Sequence, residues 1–142
     1  MRLVLDTNVV FSGLLWRGSA YELLTAIRQA PETEIKLFCS VDLFEELADV
    51  LSRPPSIKQL SLVGETAKNV LEDYAGIVEF VEPAEISPTS IDPEDDPVLA
   101  CALAAAAELI VSGDAHLLNL KQYHGIQIVG PREAATRISA SR

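Results

Sequence analysis

The chain alternates short apolar runs with longer segments of helical spacing, and this alternation restricts its fold more than any other feature. The runs are RLVL (2–5), IKLFC (35–39), IVEFV (77–81), LIVS (109–112) and IQIV (126–129). Each is rich in β-forming residues and too short for a stable helix, so each reads as a strand. Strands separated by helices pair in parallel and need cover on both faces. The expected architecture is a three-layer α/β/α sandwich around a central parallel sheet, with its crevice at the carboxyl ends of the strands.

The segments between the strands carry helix signals of different strength. Residues 6–16 form a short connection. A helix is expected from Ser19, opened by the capping box Ser19-Ala20-Tyr21-Glu22. Residues 41–53 place Phe44, Leu47, Ala48 and Leu51 on one stripe, and Pro54-Pro55 stops that helix. Residues 66–76 read as helix and 82–94 as a proline-rich, acidic loop. The stretch 97–108 is alanine-rich and apolar all round, which predicts a buried helix. A short helix after Asp114 and a last one from Pro131 complete the pattern.

One domain spanning 1–142 accounts for this pattern, since a chain of this size buries roughly two-thirds of its unfolded surface around a single core. No apolar run reaches the roughly 18 residues that a spanning helix needs, and the N-terminus enters a strand without a basic leader. The expectation is a soluble, cytoplasmic protein with no membrane contact. Cys39 and Cys101 fall inside core elements and read as small apolar residues. The net charge of −10, from 21 acids against 11 bases, argues against a broad basic surface for nucleic acid and favours a cationic ligand such as a metal.

The carboxylates stand where this fold would gather them. Asp6 ends the first strand, Asp114 lies just beyond the strand LIVS, and Asp96 precedes Pro97 at the mouth of the buried helix. Asp is rarely buried without a partner, so Asp6 calls for a cap, a partner or a metal. Each of the three also occupies an N-cap position, and capping does not exclude ligation. Glu45 and Glu46 flank the apolar stripe of their helix, and periodicity does not choose between them.

VLDTN at the first strand, the acidic pair in the helix after the second, Asp96-Pro97-Val98-Leu99-Ala100-Cys101-Ala102, and VSGD late in the chain together resemble the PIN domain family, notably its toxin–antitoxin subgroup. GIQIVGPREA is similar to that subgroup's closing strand and helix. The resemblance implies a PIN-like fold and metal-dependent endonucleolytic cleavage of single-stranded or structured RNA. It implies Mg²⁺ or Mn²⁺ held by Asp6, Glu46, Asp96 and Asp114 as catalytic and metal ligands; an acid directly before Leu selects Glu46. Asn8, Ser112 and Asp92 match polar positions around that site and would orient ligands and water, with turn or capping roles the alternative for Asn8 and Ser112. Thr7 and Asp95 read as structural, His116 as an exposed first-turn residue, and His124 shows no pattern.

Mg²⁺ suits such a set, because it is a hard cation that prefers oxygen and is held by few carboxylates plus substrate phosphate. With water as the nucleophile the products would carry a 5′-phosphate and a 3′-hydroxyl. Arg17, with Trp16 and Tyr21 nearby, offers phosphate contact and base stacking, a core position being the alternative for Trp16. One small acidic domain offers little surface for a strand, so a homodimer is expected, and the subgroup implies a cognate antitoxin protein. Two other classes remain open. A haloacid-dehalogenase-like phosphatase would need a second aspartate where Asn8 stands. A non-catalytic module on the same fold would keep the acids only as caps.

Overall fold

The computed structural model of the chain describes residues 1–87, 93 and 96–140. The strands are β1 (Arg2–Leu5), β2 (Lys36–Cys39), β3 (Val78–Phe80), β4 (Leu109–Val111), β5 (Gln122–Tyr123) and β6 (Ile126–Val129). The helices are α1 (Thr7–Leu15), α2 (Ser19–Gln29), α3 (Val41–Leu51), α4 (Pro54–Leu62), α5 (Ala67–Ile77), α6 (Asp96–Ala104), α7 (Ala115–Leu120) and α8 (Pro131–Ala140). They form a three-layer α/β/α arrangement around a six-stranded sheet of order β3-β2-β1-β4-β6-β5. All neighbours pair in parallel except β5 and β6. The two central strands are buried throughout from Leu3 to Leu5 and from Leu109 to Val111, as strands covered on both faces must be.

Several elements depart from expectation, each for a local reason. The connection 6–16 is mostly helix α1: Val9 and Val10 lower helix propensity, but Thr7, Val9, Val10, Gly13 and Leu15 are buried, and tertiary burial outweighs that preference. Pro54-Pro55 ends α3 and also opens α4, because proline is favoured in a helix's first turn. The capping box at Ser19 does not form; Ser19 is already helical, the N-cap is Gly18, and no side chain caps the helix. Helix α6 stops at Ala104 rather than 108, with Ala106 at φ 50°, so that Glu108 can donate to the Arg2 carbonyl at 2.8 Å and lead into β4. Strand β5 is an addition to the expected set: His124 and Gly125, at φ 50° and 81°, make the two-residue turn that pairs Tyr123 with Ile126.

The buried helix is as expected, with Val98, Leu99, Ala100, Cys101 and Ala102 buried in succession. Cys39 and Cys101 are free and buried, and burial pushes their thiols up to about 12 and about 11, which leaves them inert. Among the described residues no helix is long and apolar enough to cross a membrane.

Gly13 marks the closest approach of α1 to α2. A Cβ there would lie 2.5 Å from Leu24 Cδ1 and 2.9 Å from the Ala20 carbonyl oxygen, and backbone cannot yield as a side-chain tip can. Gly13→Ala is therefore expected to destabilise the protein by about 1–3 kcal/mol through overpacking, despite alanine's better helix propensity. A denaturant midpoint equal to or above that of the parent protein would refute this.

Candidate active site

Open α/β sheets bind ligands outside the carboxyl ends of their strands, at the point where the strand order reverses. In this sheet the chain moves from β1 outward through β2 to β3, then returns to place β4 on the other side of β1. The reversal lies between β1 and β4. Asp6 follows β1 and Ser112 follows β4, so the topology delivers both to one crevice.

Local hydrogen bonds then fix their side chains. The Asp6 N–H donates to the Val111 carbonyl at 2.9 Å, which extends the β1–β4 ladder by one residue. Asp6 is the N-cap residue of α1, but its side chain makes no capping bond. Its Oδ2 instead accepts from the Ser112 hydroxyl at 2.8 Å. Ser112 is fully buried, and its Oγ also accepts from the Asp114 N–H at 3.0 Å. Asp114 does cap: its Oδ1 accepts from the His116 N–H at 2.7 Å. Of the capping roles open to these two aspartates, the structure realises the one at Asp114 and not the one at Asp6.

Burial raises the Asp6 carboxyl above its ordinary range; the bonds from Ser112 and the Thr7 N–H oppose the rise, and the nearby Asp114 charge adds to it. Among the described residues no Lys or Arg forms an ion pair with either aspartate. Thr7, read as structural, has the one buried side-chain polar atom without a hydrogen-bond partner among the described residues, its Oγ1. An unpaired buried hydroxyl costs about 1–3 kcal/mol, which makes the position beside Asp6 one that a ligand or water would relieve. The only sequence signal for it is adjacency to Asp6.

The remaining candidates lie around this pair. Glu46 is exposed on α3, which leaves the carboxyl end of β2 through the Ser40 cap; Glu45 is exposed as well, so burial does not separate them. Asp96 is half-buried as the first residue of α6. Among the described residues no three His, Cys, Asp or Glu side chains gather closely enough to hold a metal ion. Asp6 and Asp114 thus meet across Ser112, whereas Glu46 and Asp96 stand on helices flanking the sheet without completing a ligand group. Asp92 and Asp95 lie outside the described residues. Asn8 is exposed on the first turn of α1, and His116 is exposed. Trp16 is half-exposed, which excludes the core position. Arg17 is folded onto Tyr21, with its guanidinium 4.5 Å from the ring centre and Nη1 donating to the hydroxyl at 2.8 Å.

The donor chemistry fits a hard divalent cation. The donors are oxygen only, one carboxyl is desolvated, and the two charges repel with no Lys or Arg paired to either among the described residues.

The family model for the PIN domain matches residues 2–116, a span that contains Asp6, Glu46, Asp96 and Asp114. No curated protein sequence matches the chain.

Proposed function

The chain belongs to the PIN domain family, whose fold is nuclease-like, and on that premise we propose that it is a Mg²⁺- or Mn²⁺-dependent endoribonuclease, the toxin of a toxin–antitoxin pair. The observation that supports this most is the Asp6–Ser112–Asp114 arrangement at the reversal of strand order, where a buried serine bridges two segments that each bring an acid. Asp6, Glu46, Asp96 and Asp114 would hold the cation, with Asn8 and Asp92 assigned to the surrounding polar shell. When bound, the cation supplies Lewis-acid polarisation of a phosphodiester and activation of water.

The chain's own residues do the rest. Ser112 donates to Oδ2 of Asp6 and so fixes the direction in which that carboxyl faces the crevice. Its second bond, from the Asp114 N–H, holds that backbone at a set distance from Asp6. Asp114 keeps one oxygen on the α7 cap and has the other available. The reading includes a cytoplasmic homodimer with a cognate antitoxin as protein partner.

The test is cleavage of single-stranded RNA with Mg²⁺ or Mn²⁺ and with excess EDTA. The expected result is cleavage only with the metal, leaving 5′-phosphate and 3′-hydroxyl ends. Undiminished cleavage in EDTA, or 2′,3′-cyclic phosphate products, would overturn it. That no three metal-binding side chains gather among the described residues favours a non-catalytic module; such a protein would show no rise in melting temperature on adding Mg²⁺.

A further inference from the structure

A cavity of about 360 Å³ has Asp114 in its wall and extends from it over α1 and the start of α2. Its walls include Asn8 and Ser12 of α1, Trp16, Ser19 at the start of α2, and Pro131 at the start of α8. Pockets that accept small ligands span roughly 300–1,000 Å³, and a single nucleotide belongs at the lower end of that range. Trp16 is 51 % exposed but braced, with the Phe11 ring set edge-on at 5.6 Å and 75°. An aromatic ring held on one side and open on another is a surface for a second flat group. Helix α2 enters the same wall with Gly18 as its N-cap, and glycine supplies no capping side chain to its first-turn N–H groups.

We propose that this cavity is a nucleoside subsite, in which one RNA base stacks on Trp16 and presents its edge to the Asn8 carboxamide and the Ser12 hydroxyl. The proposal takes its ligand class from the ribonuclease reading. Stacking also answers a difficulty that the charge creates. A chain of net charge −10 has few basic groups to spend on phosphates, and base stacking needs none. Asn8, at the edge of the polar shell, then also acts on specificity, since an amide offers both a donor and an acceptor to a base edge. Arg17 contributes nothing here: its guanidinium is committed to Tyr21, and it is not among the residues lining the cavity.

Trp16 is the only tryptophan of the chain, so its fluorescence reports on this cavity alone. The full chain, without added metal, is titrated with each of the four ribonucleoside 5′-monophosphates. Saturable quenching is expected, unequal among the bases, retained in Arg17→Ala and reordered in Asn8→Ala. Binding of a labelled short single-stranded RNA, followed by anisotropy, is expected to weaken by about tenfold or more in Trp16→Ala and far less in Trp16→Phe, which keeps a stacking ring. Absence of saturable quenching by any of the four nucleotides, or Trp16→Ala binding RNA like the parent protein, overturns the subsite. Metal-dependent RNA cleavage without quenching overturns the subsite and leaves the ribonuclease reading in place. Quenching by nucleotides in a protein that never cleaves RNA supports the subsite and overturns the ribonuclease reading instead.

Discussion

Asp6→Asn is expected to lower Mg²⁺-dependent RNA cleavage by about 10³-fold while raising the melting temperature of the metal-free protein. The two effects share one cause. Asp6 is an acid whose carboxyl is raised on folding, by burial first and by the Asp114 charge in addition. A raised acid contributes stability that is complete below its unfolded pKa and is lost as pH rises through the folded one. At neutral pH the ionised Asp6 therefore strains the metal-free fold, and a neutral carboxamide in its place would not. The amide oxygen can still accept from Ser112, so the gain is not offset by an orphaned hydroxyl. The melting-temperature gap between variant and parent is expected to be widest at neutral pH and to close toward acid, at about 3 °C for each kcal/mol recovered. A gap that does not vary with pH, or a variant that cleaves RNA at the parent rate, would refute the assignment of Asp6.

Ser112→Ala is expected to weaken Mg²⁺ binding by about 10–100-fold, because groups that orient metal ligands typically matter on that scale. The change removes the donor to Asp6 Oδ2 and the acceptor for the Asp114 N–H, and so releases both acids from their common anchor. Ser40→Ala is a matched control. Ser40 is equally buried, but its hydroxyl accepts from the Leu43 N–H and caps α3. Both variants should lose about 1–2 kcal/mol of stability. Only Ser112→Ala should lose Mg²⁺ affinity, read by calorimetry or by the Mg²⁺-induced shift in melting temperature. Equal losses of affinity in the two would show that Ser112 acts through stability alone.

The elements legible in the sequence are those whose pattern is local. RLVL and LIVS are unbroken apolar runs because both faces of a central strand are covered, and that signal needs no knowledge of the partner strand. Residues 98–102 declare their burial in the same way, having no polar face to present. Helix α1 is hidden from such a reading because Val9 and Val10 prefer strands in isolation; their helical state follows from packing against α2 and α3. Helix α4 is hidden because Pro54-Pro55 carries two meanings, stop and start, and only the path of the chain selects the second. Strand β5 is two residues long and exists through its pairing with β6.

The site divides along the same line. Asp6 and Asp114 are legible as a pair because a strand end is a fixed address in a parallel sheet: once β1 and β4 are strands, the residues that follow them stand at the same edge. The resemblance placed Ser112 around the site, but the sequence could not show which atoms it bonds, that Thr7 keeps an unpaired hydroxyl beside Asp6 among the described residues, or that Trp16 faces a cavity while Arg17 next to it turns back to Tyr21. Those are matters of side-chain direction and of contacts between segments far apart in the chain, such as the bond that spans from Asp6 to Ser112. Neighbours in sequence share a backbone but not a rotamer, so one residue can line a ligand cavity while the next binds its own helix. Residue type and period determined which segments are strands and where the acids would be delivered, because burial acts on each segment separately. Which acids share a buried serine, and which aromatic ring is left open, only the tertiary structure decided, because those depend on distances that no local pattern encodes.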